Sequence, residues 1–282
     1  MSSSEEQLPQ RPIITLTTDF GTNDHFVGAL KGVILDITPE AQIVDISHAV
    51  QAFDVLDGAL AISQAYSYFP NGTVHMVVVD PGVGTARRPI LASSDGYHFV
   101  APDNGVLSMV YAREERIHVR HITSDHYFRM PVSNTFHARD IFGPVAAYLA
   151  KQVDSHKFGD EIEDYVKFAA PRPKATGEGR MRGVVLKIDR FGNLITNVTP
   201  VDAPAIFAES AKFKITVGTR EITDIRKNYA EGAPGEVFGI IGSMGYLEIV
   251  ANRGAAAQIT GAGKGSEVSI FLGEAAAAGK GA

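Results

Sequence analysis

The 282-residue sequence contains no cysteine. That excludes disulfides, thiolate nucleophiles and cysteine-ligated zinc, and it fits a reducing compartment, so the expected location is cytoplasmic. No apolar run approaches the ~20 residues that a membrane-spanning helix requires. The opening MSSSEEQLPQ has neither the basic nor the apolar region of a secretory signal. Basic charge is in deficit: 26 Lys and Arg face 32 Asp and Glu, a formal net charge of −6. This argues against a broad nucleic-acid or anionic-membrane surface, while leaving room for a small basic pocket. What is present is the balance of a soluble globular chain, 45% hydrophobic and 21% charged, long enough for one large domain or two ordinary ones. The closing GEAAAAGKGA is small and low in complexity and reads as a frayed tail.

The first 170 residues alternate strand and helix signals. Residues 12–18 (PIITLTT) read as a short buried strand, and 26–37 (FVGALKGVILDI) carry apolar residues at helical spacing before Pro39. A second strand is expected at 42–46, a second helix at 55–68 and a third, β-branched strand at 73–79 (TVHMVVV). Alternation of this kind predicts an α/β fold, here a Rossmann-like domain with a mostly parallel sheet. A hairpin around Asp95-Gly96 should follow, then an Asp103-capped helix over 103–112 and a helix over 140–151. Residues 170–182, rich in Pro, Gly and charge, read as a linker. Beyond them the helical period disappears, and short alternating runs at 184–188, 212–217, 237–241, 247–250 and 267–272 predict an all-β, barrel-like domain. The expected organisation is an α/β domain at 9–170, a linker at 171–182 and a β domain at 183–275.

Four polar stretches stand out. Asp19, with Asp24 shortly after it, lies where the first strand meets the first helix. Ligands in open α/β sheets bind there, and a carboxylate can accept hydrogen bonds from a ribose diol; for Asp24 a helix cap is the competing reading. VVVDPGVGTARR (77–88) ends an apolar strand on Asp80 and brings Arg87 seven residues later. A phosphate loop would need a helix after the glycines, and Pro89-Ile90-Leu91 reads as a strand instead. NTFHARDIF (134–142) sets His137 at a helix entrance, as an acid–base group, donor or metal ligand. Arg139 and Asp140 read as a surface pair and a cap. Of the other histidines, His48, His75, His98, His118, His121 and His126 read as structural. In the second half, Asp189, Phe191 and Asn193 alternate as on one face of a strand, suited to an ammonium, a flat base and an amide-like edge. GSMGYLE (242–248) then places Ser243 between glycines and ends on Glu248.

The stretches TDFGTND, VDPGVGTARR, TFHARDIF, DRFGN and GSMGYLEIVAN occur in order across roughly residues 12–262. Together they resemble the S-adenosylmethionine hydroxide adenosyltransferases, the hydrolytic branch of a superfamily that also contains the fluorinase and chlorinase. The resemblance implies an N-terminal α/β domain, a C-terminal β-barrel-like domain, and displacement at C5′ of S-adenosylmethionine by water to give adenosine and methionine. An Asp-Arg-His set falls on Asp80, Arg87 and His137. Halogenating relatives carry an aromatic residue at the position of Asp80, so Asp80 argues against halide chemistry. The resemblance further implies that Asp19 holds the ribose hydroxyls and Phe53 helps cover the substrate. Asp189, Phe191 and Asn193 hold the methionine amine and the adenine, Ser243 meets the methionine carboxylate, and Glu248 belongs with this substrate-binding group. It also implies homotrimers with sites shared between subunits, and no metal or cofactor. Two positions depart from the pattern: Ala138 stands where the hydrolases carry Gly, and Met244 where halogenases carry Arg.

The sulfonium is a good leaving group, so the chemical difficulty lies in the nucleophile: a water must be aligned with C5′–S and lose a proton. Asp80 is the evident base, although an adjacent guanidinium weakens it, and His137 is the other candidate. Two rival readings stand beside this one. One is a metal-dependent phosphoesterase using Asp19, Asp80, His137 and Asp140 as ligands. The other is a non-catalytic binder of S-adenosylmethionine or adenosine.

Overall fold

The computed structural model describes residues 11–177, 179–208 and 211–273. The N-terminal decapeptide and the alanine-rich tail read above lie outside the described residues. The chain divides into two compact units between Ala170 and Pro171.

In the first unit, β1 (Ile13–Thr18), β2 (Gln42–Ser47), β3 (Val74–Val78), β4 (Pro89–Ser94), β5 (His98–Pro102) and β6 (Ile117–His121) form one sheet in the order β2-β1-β3-β5-β4-β6. The β1–β2, β1–β3 and β3–β5 pairs are parallel, and the β4–β5 hairpin and β6 are antiparallel. Apolar, β-branched sequence suits β1 and β3 because helices cover both faces of the sheet. On one face, Leu30 and Ile34 of α1 (Phe26–Ile37) pack with Val145 and Leu149 of α4 (Gly143–Ala150) over Ile14, Leu16 and Met76. On the other, Ile62 of α2 (Val55–Ala65) and Val110 of α3 (Ser108–Tyr111) meet Val77, Ile90 and Phe99. Asp54 caps α2 by accepting the Asp57 N–H at 3.1 Å.

Two expectations fail here. Asp103 does not cap a helix. It is buried and accepts from Arg88 Nε and Nη2 at 2.9 and 2.7 Å and from the Val166 N–H at 2.7 Å. With that carboxylate drawn to Arg88, the chain turns at Gly105 (φ 91°) and α3 begins only at Ser108. Asp140 is fully buried rather than superficial. A π-helical turn, Ala138–Phe142, precedes α4, and Asp140 within it is bound by Arg139 and the Ser133 N–H.

The second unit is nearly all β. Its strands are β7 (Lys174–Gly177), β8 (Arg180–Ile188), β9 (Leu194–Thr196), β10 (Phe213–Val217), β11 (Arg220–Ile222), β12 (Ile225–Arg226), β13 (Val237–Ile241), β14 (Leu247–Ala251) and β15 (Glu267–Leu272), joined among the described residues by a short α-helix, α5 (Ala256–Thr260), and two single 3-10 turns. The strand order is β11-β10-β15-β8-β9-β14-β13-β12, with β7 paired to β8. Strands β11 and β12 stand at opposite ends of that order, yet only Thr223 and Asp224 separate them in sequence. Such a short link reaches only about two strand spacings, so the sheet must curl until its ends meet, and β11 lies against β13. Ile215, Leu247, Ile249 and Ile270 fill the interior. Residues 174–177 and 180–182 are paired strand rather than free connection.

Candidate active site

Thr18 and Val78, near the carboxyl ends of the adjacent parallel strands β1 and β3, are register partners. Asp19 follows the first and Asp80 lies two residues beyond the second. From β1 the chain leaves through α1 on one face, whereas β3 is reached through α2 on the other, so the strand order reverses between β1 and β3. A crevice opens at such a switch point. Here it is a cavity of about 290 Å³, with Asp19, Asp80, His137 and Phe53 on its wall.

Arg87 returns to Asp80. Its Nε donates to Asp80 Oδ1 at 2.9 Å, and its Nη2 donates both to Asp80 Oδ2 and, at 2.8 Å, to His137 Nδ1. The Asp80 and Arg87 side chains are 6% and 9% exposed, and a shielded, two-pronged ion pair of this kind is far stronger than one at the surface. Arg87 also lies over the Phe142 ring, 5.2 Å from its centroid, and its buried Nη1 makes no hydrogen bond among the described residues. Glycine at residue 84 brings the two loops together. Its φ is 77°, and a Cβ there would overlap the Asn134 carbonyl oxygen. The glycines thus admit the neighbouring His137 loop, and β4 follows directly, as expected of a turn that is not a phosphate loop.

His137 is held neutral. Burial lowers its pKa first, and the Arg87 guanidinium lowers it further. An arginine does not surrender its proton, so His137 Nδ1 is the acceptor and Nε2 carries the hydrogen. Asp140 steadies the same loop by accepting the Ser133 N–H at 2.9 Å. Burial pushes its carboxyl up, but Arg139 and Ser133 outweigh that and hold it low.

Asp19 Oδ2 accepts the Phe53 N–H at 2.9 Å. Phe53 has a left-handed backbone (φ 66°) and is 74% exposed. A non-glycine residue pays roughly 1–3 kcal/mol for that conformation, the kind of strain that collects at ligand sites. Phe20, Phe26 and Phe136 also line the cavity, and Phe26 and Phe136 meet edge-to-face at 5.3 Å. The sequence reading missed this aromatic wall, although Phe20 and Phe136 adjoin residues it singled out. Ala138 is buried in the lining as well. Asp24 is exposed, lines no part of this cavity and does not cap α1, whose N-cap is His25.

The second unit has a cavity of about 510 Å³ lined by Phe191, Asn193, Tyr229 and Arg253. Asp189, Phe191 and Asn193 do not alternate along a strand. They form the turn between β8 and β9, where Asp189 Oδ1 accepts the N–H groups of Phe191 and Asn193, each at 2.8 Å, and Oδ2 accepts from Asn193 Nδ2 at 2.8 Å. Gly192 (φ 85°) closes this turn against Ala255. Phe191 is left 77% exposed. Tyr229 and Arg253 carried no signal in the sequence. Ser243 is exposed in the β13–β14 hairpin loop, outside the lining. Glu248 is buried against Gly242. Burial raises its pKa, and the Asp189 charge adds to the effect.

The donor set Asp19, Asp80, His137 and Asp140 does not assemble around one point. Among the described residues no three or more His, Asp or Glu converge as metal ligands, and Asp80 and Asp140 each face a guanidinium. No helix among the described residues is long and apolar enough to cross a membrane.

Residues 14–159 match the SAM hydroxide adenosyltransferase N-terminal domain, and residues 183–269 match the C-terminal domain. The chain is 36% identical over 268 residues to the (R)-S-adenosyl-L-methionine hydrolase of Salinispora tropica, covering 93% of this chain and 98% of that one. It is 35% identical over 246 residues to the protein of the same name from Methanocaldococcus jannaschii, covering 84% and 87%. A crystal structure of an uncharacterized conserved protein from Thermotoga maritima superposes with a TM-score of 0.84 at 35% identity, over 92% of this chain and 99% of that one. The chain belongs to the SAM hydroxide adenosyltransferase family.

Proposed function

We propose that this protein hydrolyses S-adenosyl-L-methionine by attack of water at C5′, giving adenosine and L-methionine. The names of the relatives specify the R configuration at sulfur, and the same epimer is the proposed substrate. The observation that carries the reading is the hydrogen-bonded set of Asp80, Arg87 and His137, with Asp80 and His137 on the wall of the cavity that Asp19 shares.

In the proposed reaction a C5′–O bond forms as the C5′–S bond breaks, and the sulfur keeps the electron pair and leaves as a neutral thioether. The water proton needs an acceptor. His137 has no free lone pair, since Nδ1 faces Arg87 and Nε2 is protonated. Asp80 keeps a lone pair on each oxygen after binding Arg87, so Asp80 is assigned as the base. His137 Nε2–H is the donor that holds the water oxygen through one lone pair and leaves the other aimed at C5′, while Arg87 fixes Asp80 and His137 in place. A carboxylate tied to a guanidinium is a modest base, and alignment therefore carries much of the rate. The reading calls for no cofactor or metal, because the substrate brings its own positive charge.

Asp19 Oδ1 is assigned to the ribose hydroxyls, and Phe53 covers the nucleoside. In the second unit, Phe191 and Asn193, with Tyr229, are assigned to the adenine, Asp189 and Glu248 to the ammonium, and Ser243 to the carboxylate. Asp24 was expected to join them but is the residue least supported by the geometry. The functional form is proposed as a cytoplasmic homotrimer in which each site draws on two subunits. The test is incubation with the R epimer followed by chromatography. Adenosine and methionine in equal amounts support the reading, and Asp80→Asn should lower kcat by ~10²–10⁴-fold with KM little changed. Bound but intact substrate would overturn it in favour of a binding protein.

A further inference from the structure

His48 lies outside the cavity lining, is 7% exposed and was grouped above with structural histidines. It holds the Asp19 turn from two directions. Its carbonyl accepts the Gly21 N–H at 2.7 Å, and its Nδ1 lies 2.8 Å from Thr18 Oγ1. That hydroxyl also accepts the Phe20 N–H at 3.3 Å, so it bridges the imidazole and the backbone of the Asp19 turn. Nε2 stands 3.1 Å from Asp45 Oδ1 in a bent contact that is electrostatic rather than a formed hydrogen bond. Asp45 Oδ2 in turn takes Lys31 Nζ of α1 at 2.6 Å. The chain Lys31–Asp45–His48–Thr18 therefore links α1, which carries Phe26 into the cavity wall, to the turn that carries Asp19 and Phe20.

Threonine, histidine and aspartate in a row resemble a nucleophilic triad, but Thr18 is fully buried and its hydroxyl is occupied on both sides. It has no access to a substrate, which leaves positioning as the role. Among the described residues, the Asp19 carboxylate is held only by Oδ2, through the Phe53 N–H on a strained, exposed residue. The rigid support comes from the His48 side.

We infer that His48, acting through Thr18, is a positioning residue that sets Asp19 for recognition of a vicinal ribose diol, and so determines selectivity for ribo- over 2′-deoxyribonucleosides. The inference rests on the assignment of Asp19 to the ribose hydroxyls, but not on hydrolysis. It is therefore tested by binding: calorimetric dissociation constants for adenosine and 2′-deoxyadenosine on the full-length protein. A diol paired with a carboxylate should favour adenosine by ~10–100-fold in the wild type, and Asp19→Asn should abolish the preference. His48→Leu and Thr18→Val should each shrink the preference by ~10-fold. His48→Asn, whose side-chain amide can replace Nδ1 as the hydrogen-bond partner of Thr18, should keep it. Thr18→Val is close to isosteric and preserves the comparison should His48→Leu fold poorly. A general loss of stability would weaken both ligands alike and leave their ratio unmoved. An unchanged ratio in Thr18→Val beside a collapsed ratio in Asp19→Asn overturns the positioning role alone. An unchanged ratio in Asp19→Asn overturns the ribose assignment and this inference together.

Discussion

At residue 84 a single missing methyl group decides whether two loops can touch. A Cβ there would overlap the Asn134 carbonyl, and the positive φ would strain any other side chain. Gly84→Ala is expected to cost about 1–3 kcal/mol of stability. It should also lower kcat by at least ~10-fold, because the Asp80–Arg87 loop is pushed from His137 and small displacements weigh heavily on aligned reactants. Chemical denaturation and steady-state kinetics on the same preparation measure the two effects. His137 gives a pH prediction at the same scale. Its pKa lies below the ordinary 6.5, because burial and Arg87 disfavour the cation. The neutral form therefore predominates at neutral pH, and protonation as pH falls through the lowered value breaks the Nδ1 contact with Arg87. The profile of kcat/KM should be level near neutrality and fall on the acid side below 6.5. His137→Asn should shift or abolish that limb, and an acid limb unchanged in His137→Asn would contradict the assignment.

At the scale of elements, the site exists because β1 and β3 are adjacent, parallel and in register. That much was legible in the sequence. Apolar periodicity marked α1 at Phe26–Ile37, and alternation marked β13 and β15. What escaped depended on partners distant in the chain. Asp103 looks like a helix cap until Arg88 is brought beside it. Asp189, Phe191 and Asn193 look like one strand face until Gly192 turns the chain. Strands as short as β9, β11 and β12 carry too few residues for a period to show. The Asp80–Arg87–His137 set joins residues 50 apart, and only the family resemblance brought them together in advance. Within β3, His75 is a structural histidine as read. It is fully buried among Tyr66, Phe69, Tyr97 and Phe99, with Thr15 Oγ1 2.7 Å from Nδ1. Burial lowers its pKa to about 3. The unfolded chain takes up this proton first as pH falls, so the folded state should lose stability between pH 6.5 and about 3. At roughly 1.4 kcal/mol per unit, this loss amounts to at most about 5 kcal/mol. His75→Phe should flatten this part of the stability profile in urea titrations, and an unchanged slope would show that other groups dominate.

At the scale of the whole molecule, the proposed function assigns water activation and ribose contacts to residues of the first unit, and adenine and methionine contacts to residues of the second. If each site draws on two subunits, variants defective in different units should complement one another. Asp80→Asn and Phe191→Asp, each nearly inactive alone, should regain about a quarter of wild-type activity when mixed equally and reassembled. Absence of recovery would place each complete site within one chain. The central claim is attack by water at C5′, and oxygen-18 tests it most directly. With the R epimer of S-adenosyl-L-methionine in heavy-oxygen water, single-turnover products should be adenosine bearing the label at its 5′-hydroxyl and an equal amount of unlabelled methionine. Unlabelled adenosine, or cleavage to methylthioadenosine with the label in the amino-acid fragment, would contradict the account.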